Sequence, residues 1–534
     1  MPIRMTDDPQ DQQDNSNDNG GGGRSNFPGG GGGGGGLFNL LPLLLGLFRG
    51  KGIIFLLVIG VGAYFLLGRG GGGCNLGQIA QLATGGFLDP RQFEKASIYE
   101  PLADDDNKNP LPESANLQRF APAVGNQGQQ GSCVAWSSAY GARTILEAAR
   151  TDGAPNSLRF SPSFLYNQIG LQGCQGSYII RAMEYMTQQG SVAYDKFPYT
   201  DQDCTRPPSQ ELIQDAGQYK MRGFNRLSKG DRTDQIDMRA IRENLSQGAP
   251  VVIGMMVGSS FMQSMAGQDL WQPEPGDQQM MGFGGHAMCV VGYDDRKYGG
   301  AFLIMNSWGP EWGNNGFAWV RYGDFRTFVR EAYGLEPMAK TGAAANQPFE
   351  CEVGLVPVEE ENGRMVPKGY IPLRLTGNNV FETTSPVRPG SRFKVEVKNS
   401  TECYIYVFGK ETDGTSYTLF PYPGKDDPKK TKYAPFCGIT GYRLFPKDKS
   451  MTPDSIGNRD VMAVVVSKEP LDWFALNEQI SRNPQTDYAT RLNNALSGRL
   501  IRNVRFDNTG KGTMHFNAGG DENKVVATIV EVTK

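Results

Sequence analysis

Three residue types that together support acyl transfer occur in this chain at wide separations. Cys133 closes the stretch GNQGQQGSC (125–133), His286 enters the run GGHAMCVVGY (284–293), and Asn306 ends the apolar run AFLIMN (301–306). The thiolate is the reactive form of cysteine, and a neighbouring imidazole both stabilises it and carries its proton. An amide oxygen accepting from the second ring nitrogen would fix the orientation of that imidazole. The indole of Trp308 could shield the hydrogen bond from water. The choice of imidazole is narrow, because the chain has only two histidines. The other, His515, sits in the strand-like run GTMHF without evident partners and reads as structural. Taken singly, Cys133 also reads as a small buried hydrophobe, and His286 as a hydrogen-bonded structural residue.

These side chains need elements to position them. The residues from the cysteine onward, CVAWSSAYGARTILEAAR, place Val134, Ser138, Gly141, Ile145 and Ala149 at three-to-four spacing. Ala139, Ala142 and Leu146 broaden the same side. The pattern predicts an amphipathic helix over 133–150 with an apolar stripe of small residues. Cys133 falls in its first turn, where unpaired N–H groups and the positive dipole end favour an anion, so a lowered thiol pKa is expected. Gly131 and Ser132 leave room for a substrate beside the sulfur. Residues 287–291 read as a strand bracketed by glycines, and 301–305 as a second. Joined by a short turn, the two would bring His286 and Asn306 side by side.

Together, NQGQQGSCVAW, GHAMCVVGY and NSWGPEWGNNGF resemble the papain-like cysteine peptidases, the family of papain and the cathepsins. The spacing from Gln127 to Cys133 and the order Cys, His, Asn both match. LPESANLQ (111–118) is similar to the start of the mature enzyme. The resemblance covers about 111–340. It implies an α+β fold with a helical lobe and a β-barrel-like lobe, and a cleft between them. It further implies that Cys133 is the nucleophile, His286 the acid/base and Asn306 its orienter. Gln127 and the Cys133 N–H would form the oxyanion hole. Gly176 and Ser177, in GCQGSY, would pair with substrate backbone, Gly285 would line the pocket rim, and Trp308 would cover the His–Asn contact. The implied substrate is a peptide or protein, with no cofactor and no metal. The sequence departs from the family at Gln130, where a cysteine is usual, which leaves Cys174 to pair with Cys204 or to stay free. Val134 replaces an aromatic residue after the nucleophile. No long inhibitory prosegment precedes Leu111.

Composition limits the other readings. A net charge of −3 and the lack of long Lys/Arg runs do not suggest a nucleic-acid partner. Eight cysteines without a CxxC pair disfavour zinc ribbons and thioredoxin-like motifs. Two distant histidines make no usual metal site. The polyglycine tract is not a phosphate-binding loop, having no strand before it and no Lys-Ser/Thr after it. Residues 1–36, polar and then almost pure glycine, are expected to be disordered. Residues 37–69 read as a membrane segment, with one span at about 53–68 flanked by Arg49, Lys51 and Arg69. A buried core helix is the alternative. The charge bias predicts a single-pass protein with its peptidase outside the cytoplasm, on the periplasmic or extracellular side. Residues 70–110 read as a stalk, and 341–349 as a linker. Residues 350–534 alternate apolar and polar in several runs and predict an all-β sandwich-like domain. DWFALNEQISR (472–482) is a predicted helix capped by Asp472. This region loosely resembles β-sandwich modules of bacterial envelope proteins, so an adaptor acting through it, or an inactive peptidase fold used for binding, are the alternative functions.

Overall fold

The structure, a computed structural model, describes residues 2–9, 84–103, 105–229, 232–277, 285–338, 349–424, 427–519 and 524–534. All of these fall in one compact unit comprising residues 1–10 and 81–534. The apolar blocks 37–48 and 53–68, the glycine tract and most of the linker expected at 341–349 lie outside the described residues. Among the described residues no helix is long and apolar enough to cross a membrane.

The segment that opens at Cys133 is helical over 133–151, but not uniformly. An α-turn, Cys133–Ala135, leads into a wider π-helical stretch, Trp136–Arg143, and then an α-helix, Thr144–Thr151. Every residue from 133 to 148 is buried. The expected amphipathic helix is therefore corrected to one covered all round. Helices Pro162–Ile169 and Ile179–Gln188 pack on it, as does strand Gly285–Asp294. Its small residues permit that approach: a Cβ on Gly141 would stand 3.3 Å from the Cys289 Cβ.

The partner sheet has seven strands. Its path runs Phe224–Arg226, Val329–Leu335, Val251–Met256, Gly285–Asp294, Ala301–Met305, Phe317–Arg321, with Ser114–Asn116 pairing beside Gly285–Asp294. All of these pairings are antiparallel. Cys289 stands opposite Met305. Continued by one residue, this register sets Asn306 opposite Met288, two positions from His286, so both side chains leave the same face. Helix and sheet share one apolar core that includes Cys133, Ala139, Cys289, Met305 and Trp308.

The C-terminal half is a sandwich of an eight-stranded and a seven-stranded sheet. Alternation explains its run DVMAVVVS (460–467). Met462, Val464 and Val466 face the sheet-on-sheet core, while Ala463 and Val465 face a second core roofed by helices Trp473–Arg482 and Tyr488–Ala495. A strand covered on both faces loses its polar alternation. The first helix starts as expected, with Asp472 accepting from the Ala475 N–H at 2.9 Å. The second helix corrects the all-β expectation for this region.

Two boundary readings are also corrected. Residues 3–7 are not disordered: Ile3–Asp7 pairs antiparallel with Lys449–Pro453 as an edge strand, with Ile3 fully buried. Asp8 is ion-paired with Lys394 at 2.6 Å. IRMTD alternates apolar and polar before the low-complexity tract begins, and that is enough for one edge strand. Nor are residues 84–110 a free stalk. Helix Pro90–Phe93 buries Phe93 completely. Ile98 bridges to Arg226 on one side and to Tyr433 of the sandwich on the other. Lys108 donates to Glu396 at 2.5 Å and to the Tyr370 hydroxyl at 3.1 Å. These anchors are isolated contacts without a period, so periodicity could not reveal them.

Candidate active site

The loop before Cys133 is tied to the strand end that carries Asn306. The Gln127 N–H donates to the Ser307 carbonyl at 2.8 Å, and the Ser307 hydroxyl donates to Gln127 Oε1 at 2.7 Å. Gln127 Nε2 donates to the Gln130 carbonyl at 3.0 Å. The Tyr199 hydroxyl braces the same loop, donating to the Gln127 carbonyl and meeting Ser132 Oγ, both at 2.7 Å. Gln127 and Cys133 are both fully buried.

His286 Nε2 donates to Asn306 Oδ1 at 2.7 Å. That oxygen also accepts the Ser307 N–H at 2.8 Å, which fixes it as the acceptor. In the neutral ring the proton is thus on Nε2, and Nδ1 is a free acceptor with no hydrogen-bond partner among the described residues. Trp308 stacks on the ring, with centroids 4.3 Å apart and 23° between planes. The Ala287 N–H, next along the chain, donates to Cys133 Sγ at 3.4 Å. The structure therefore gathers Cys133, His286, Asn306, Gln127 and Trp308 at one place.

Gly176, Ser177 and Gly285 also meet there, across a segment the sequence reading treated as linker. Residues 85–88 thread between them as an added strand. The Gly86 N–H donates to the Gly285 carbonyl at 3.0 Å, and the Phe87 N–H to the Ser177 carbonyl at 3.0 Å. The Ser177 N–H donates to the Gly85 carbonyl at 2.9 Å. Leu88 lies against Gly254 and Gly285. The fit requires glycine: Gly176 has φ +140°, and a Cβ there would stand 2.3 Å from the Gly85 oxygen.

The covered site is electrostatically quiet. Burial pushes the Cys133 thiol up to about 12, outweighing the N–H groups of Ala287, Val134, Cys133 and Gly86 that lower it. Burial pulls His286 down to about 4, against the hydrogen bond to Asn306. The lowered thiol expected from the helix end is thus corrected for this covered state, because excluding water disfavours both charged forms more than local dipoles favour them. Cys174 is bonded to Cys204, with Cα atoms 5.9 Å apart. Among the described residues no group of three or more His, Cys, Asp or Glu could hold a metal ion.

Sequence reasoning missed Ser307, Tyr199 and the 85–88 segment. Ser307 had a usable signal, since it directly follows Asn306. Residues 85–88, GGFL, had none beyond two glycines before two apolar residues.

Residues 111–338 match the family model described as papain family cysteine protease. Mouse cathepsin K is 28% identical over 267 residues, which are 49% of this chain and 74% of the cathepsin. Human cathepsin L2 is 28% identical over 248 residues, 43% of this chain and 66% of that protein. Xylellain, a cysteine protease from Xylella fastidiosa, aligns with a TM-score of 0.38 at 22% identity, over 48% of this chain and 96% of that one. The family model and the cathepsin relatives support a papain-family cysteine protease domain over residues 111–338, and the enzyme class is that of the papain-like thiol proteases.

Proposed function

We propose that this chain hydrolyses peptide bonds with Cys133 as nucleophile, His286 as acid/base, Asn306 as its orienter, and Gln127 with the Cys133 N–H as oxyanion hole. The observation that carries the reading is the pairing of His286 Nε2 with Asn306 Oδ1 at 2.7 Å under the Trp308 ring, with Cys133 Sγ against the next residue's N–H. That pairing leaves Nδ1 to take the thiol proton. The thiolate attacks the scissile carbonyl carbon, and the oxygen gains charge as the C–S bond forms. Donors aimed at that oxygen supply about 2.7–4 kcal/mol each in comparable sites. The protonated His286 then passes its proton to the leaving amine, giving a thioester. Water, deprotonated by His286, releases the acid and restores the thiol.

For a substrate to enter, residues 85–88 must leave. A peptide then takes over the Ser177 N–H and carbonyl and the Gly285 carbonyl, as an added strand. Trp308 keeps the His–Asn bond dry. Uncovering the site admits water and polar substrate, which lowers the thiol and raises the imidazole, so the proton transfer becomes possible. The test is peptide hydrolysis by the wild type and by Cys133→Ala, with stoichiometric alkylation of the wild-type thiol. Turnover that persists in the alanine variant would reject the mechanism, and alkylation at Cys133 without turnover would favour a binding role.

We also propose that the apolar blocks 37–48 and 53–68 attach the folded body to a membrane on its non-cytoplasmic side, with both ends of the attachment emerging on that one side. Residues 3–7 pairing with 449–453 support the same-side arrangement. Alkaline extraction of membranes, with external protease digestion of tags at residue 1 and residue 534, tests it. A tag at residue 1 that stays protected while the other is cut would refute it.

A further inference from the structure

The C-terminal sandwich contains a second sulfur site unrelated to the peptidase cleft. Strand Cys403–Lys410 pairs antiparallel with the two-residue strand Phe436–Cys437, and the register sets Cys403 directly opposite Cys437. Directly opposed residues in such a pair stand about 4.5–5.5 Å apart at Cα. That range lies inside the roughly 4.4–6.8 Å window of disulfides. Both cysteines are unbonded. Both thiols are buried in the sandwich core, and Cys437 Sγ donates to the Pro435 carbonyl at 3.9 Å. A fully buried guanidinium, Arg443, is held beside them by Asn399 Oδ1 at 2.7 Å and by the carbonyls of Glu100 and Ile439. The neighbouring Cys403 thiol and the charge of Arg443 both lower the Cys437 thiol against its burial. The charge of this buried arginine acts on both sulfurs as well as on Tyr99 and Glu243, which suits a site where one sulfur carries charge.

We infer that Cys403 and Cys437 form a redox-active dithiol, which a disulfide-bearing oxidant converts to an intramolecular disulfide. The Cys437 thiolate attacks one sulfur of the donor disulfide and expels a thiolate. Cys403 then gives up its proton and attacks Cys437 Sγ, expelling the protein's partner in the mixed disulfide as a second thiolate. Two protein thiols and one donor disulfide become one protein disulfide and two thiols, with both protons passing to the expelled sulfurs. The peptidase domain of the same folded body already carries the Cys174–Cys204 disulfide, so the compartment that permits one permits the other.

The consequence lies at the seam between the two halves. The segment 432–434 is hydrogen-bonded to Ile98, through Ile98 N–H to the Lys432 carbonyl at 2.5 Å and Ala434 N–H to the Ile98 carbonyl at 3.0 Å. Neighbouring Tyr99 and Ser97 bond in turn to Arg226 of the peptidase sheet. Oxidation fastens the 432–437 segment, and through it this seam, to the sandwich.

The full chain, reduced and then exposed to oxidised glutathione, is digested without reductant and mapped by mass spectrometry. The expected product joins the Cys403 and Cys437 peptides with the loss of two hydrogens, while Cys351, in the same core, remains alkylatable after denaturation. The thermal midpoint should rise by several degrees on oxidation. In Cys403→Ser the resolving thiol is absent, so Cys437 should retain a glutathione adduct, whereas Cys437→Ser should leave Cys403 unmodified. Cys403 and Cys437 both fully alkylatable after oxidation, or a link to Cys351 instead, would overturn the proposal. The wild-type map decides the matter even where a variant fails to fold.

Discussion

Gly85→Ala should open the cleft. Gly85 has φ +145°, and a Cβ there would stand 2.2 Å from the Gly131 oxygen, which is backbone and cannot swing aside. The alanine cannot sit where the glycine does, so the 85–88 segment must lift. Lifting breaks three hydrogen bonds: Gly86 N–H to Gly285, Phe87 N–H to Ser177, and Ser177 N–H to Gly85. At a net 0.5–1.5 kcal/mol each, the covered state loses about 1.5–4.5 kcal/mol. That is roughly a ten- to thousandfold rise in the open fraction, at 1.36 kcal/mol per decade. Two readouts on the full chain follow it: the second-order rate of Cys133 alkylation by iodoacetamide, and hydrolysis of a fluorogenic peptide. Both should rise together until the segment is fully displaced. Unchanged or lower rates in a variant whose circular dichroism matches the wild type would refute the reasoning, since the covering strand would then not control access.

Asn306→Ala removes the acceptor for His286 Nε2–H and should cut kcat by tens-fold or more with a smaller change in KM, measured on a peptide once Gly85→Ala has opened the cleft. Glu100 is buried, and desolvation, then the Asp448 charge, push its carboxyl up to about 8. A carboxyl raised in the folded state contributes stability that is whole below its ordinary value and is lost as pH rises to about 8. Thermal midpoints from pH 5 to pH 8 should therefore fall less steeply for Glu100→Gln than for the wild type. Replacing Cys174 by Ser opens a disulfide of sequence separation 30 and should cost about 2–5 kcal/mol, read from denaturant midpoints of the wild type and the variant.

Much of the site could be read from the chain because its determinants are local. A cysteine after small residues opens a helical segment at Cys133. Glycines before an apolar run start the strand of His286, and an apolar run delivers Asn306 at its end. Asp472 caps its helix with the same local chemistry that predicted it. These features depend on neighbours within a few residues, which the one-dimensional string records.

What the tertiary structure alone decided depends on residues far apart. The order of strands in the sheet sets Asn306 two positions from His286, and no local pattern encodes that register. Ile3–Asp7 finds its partner at Lys449–Pro453, and Gly86 lies between Ser177 and Gly285, because each is a short stretch whose place is set by shape and unpaired backbone groups. The protonation of Cys133 and His286 is likewise a matter of burial: a helix end favours the thiolate, but the covering segment excludes the water that would solvate it. Helix caps, periodicity and motif spacing belong to the sequence, whereas register, cover and dielectric arise only when distant segments pack.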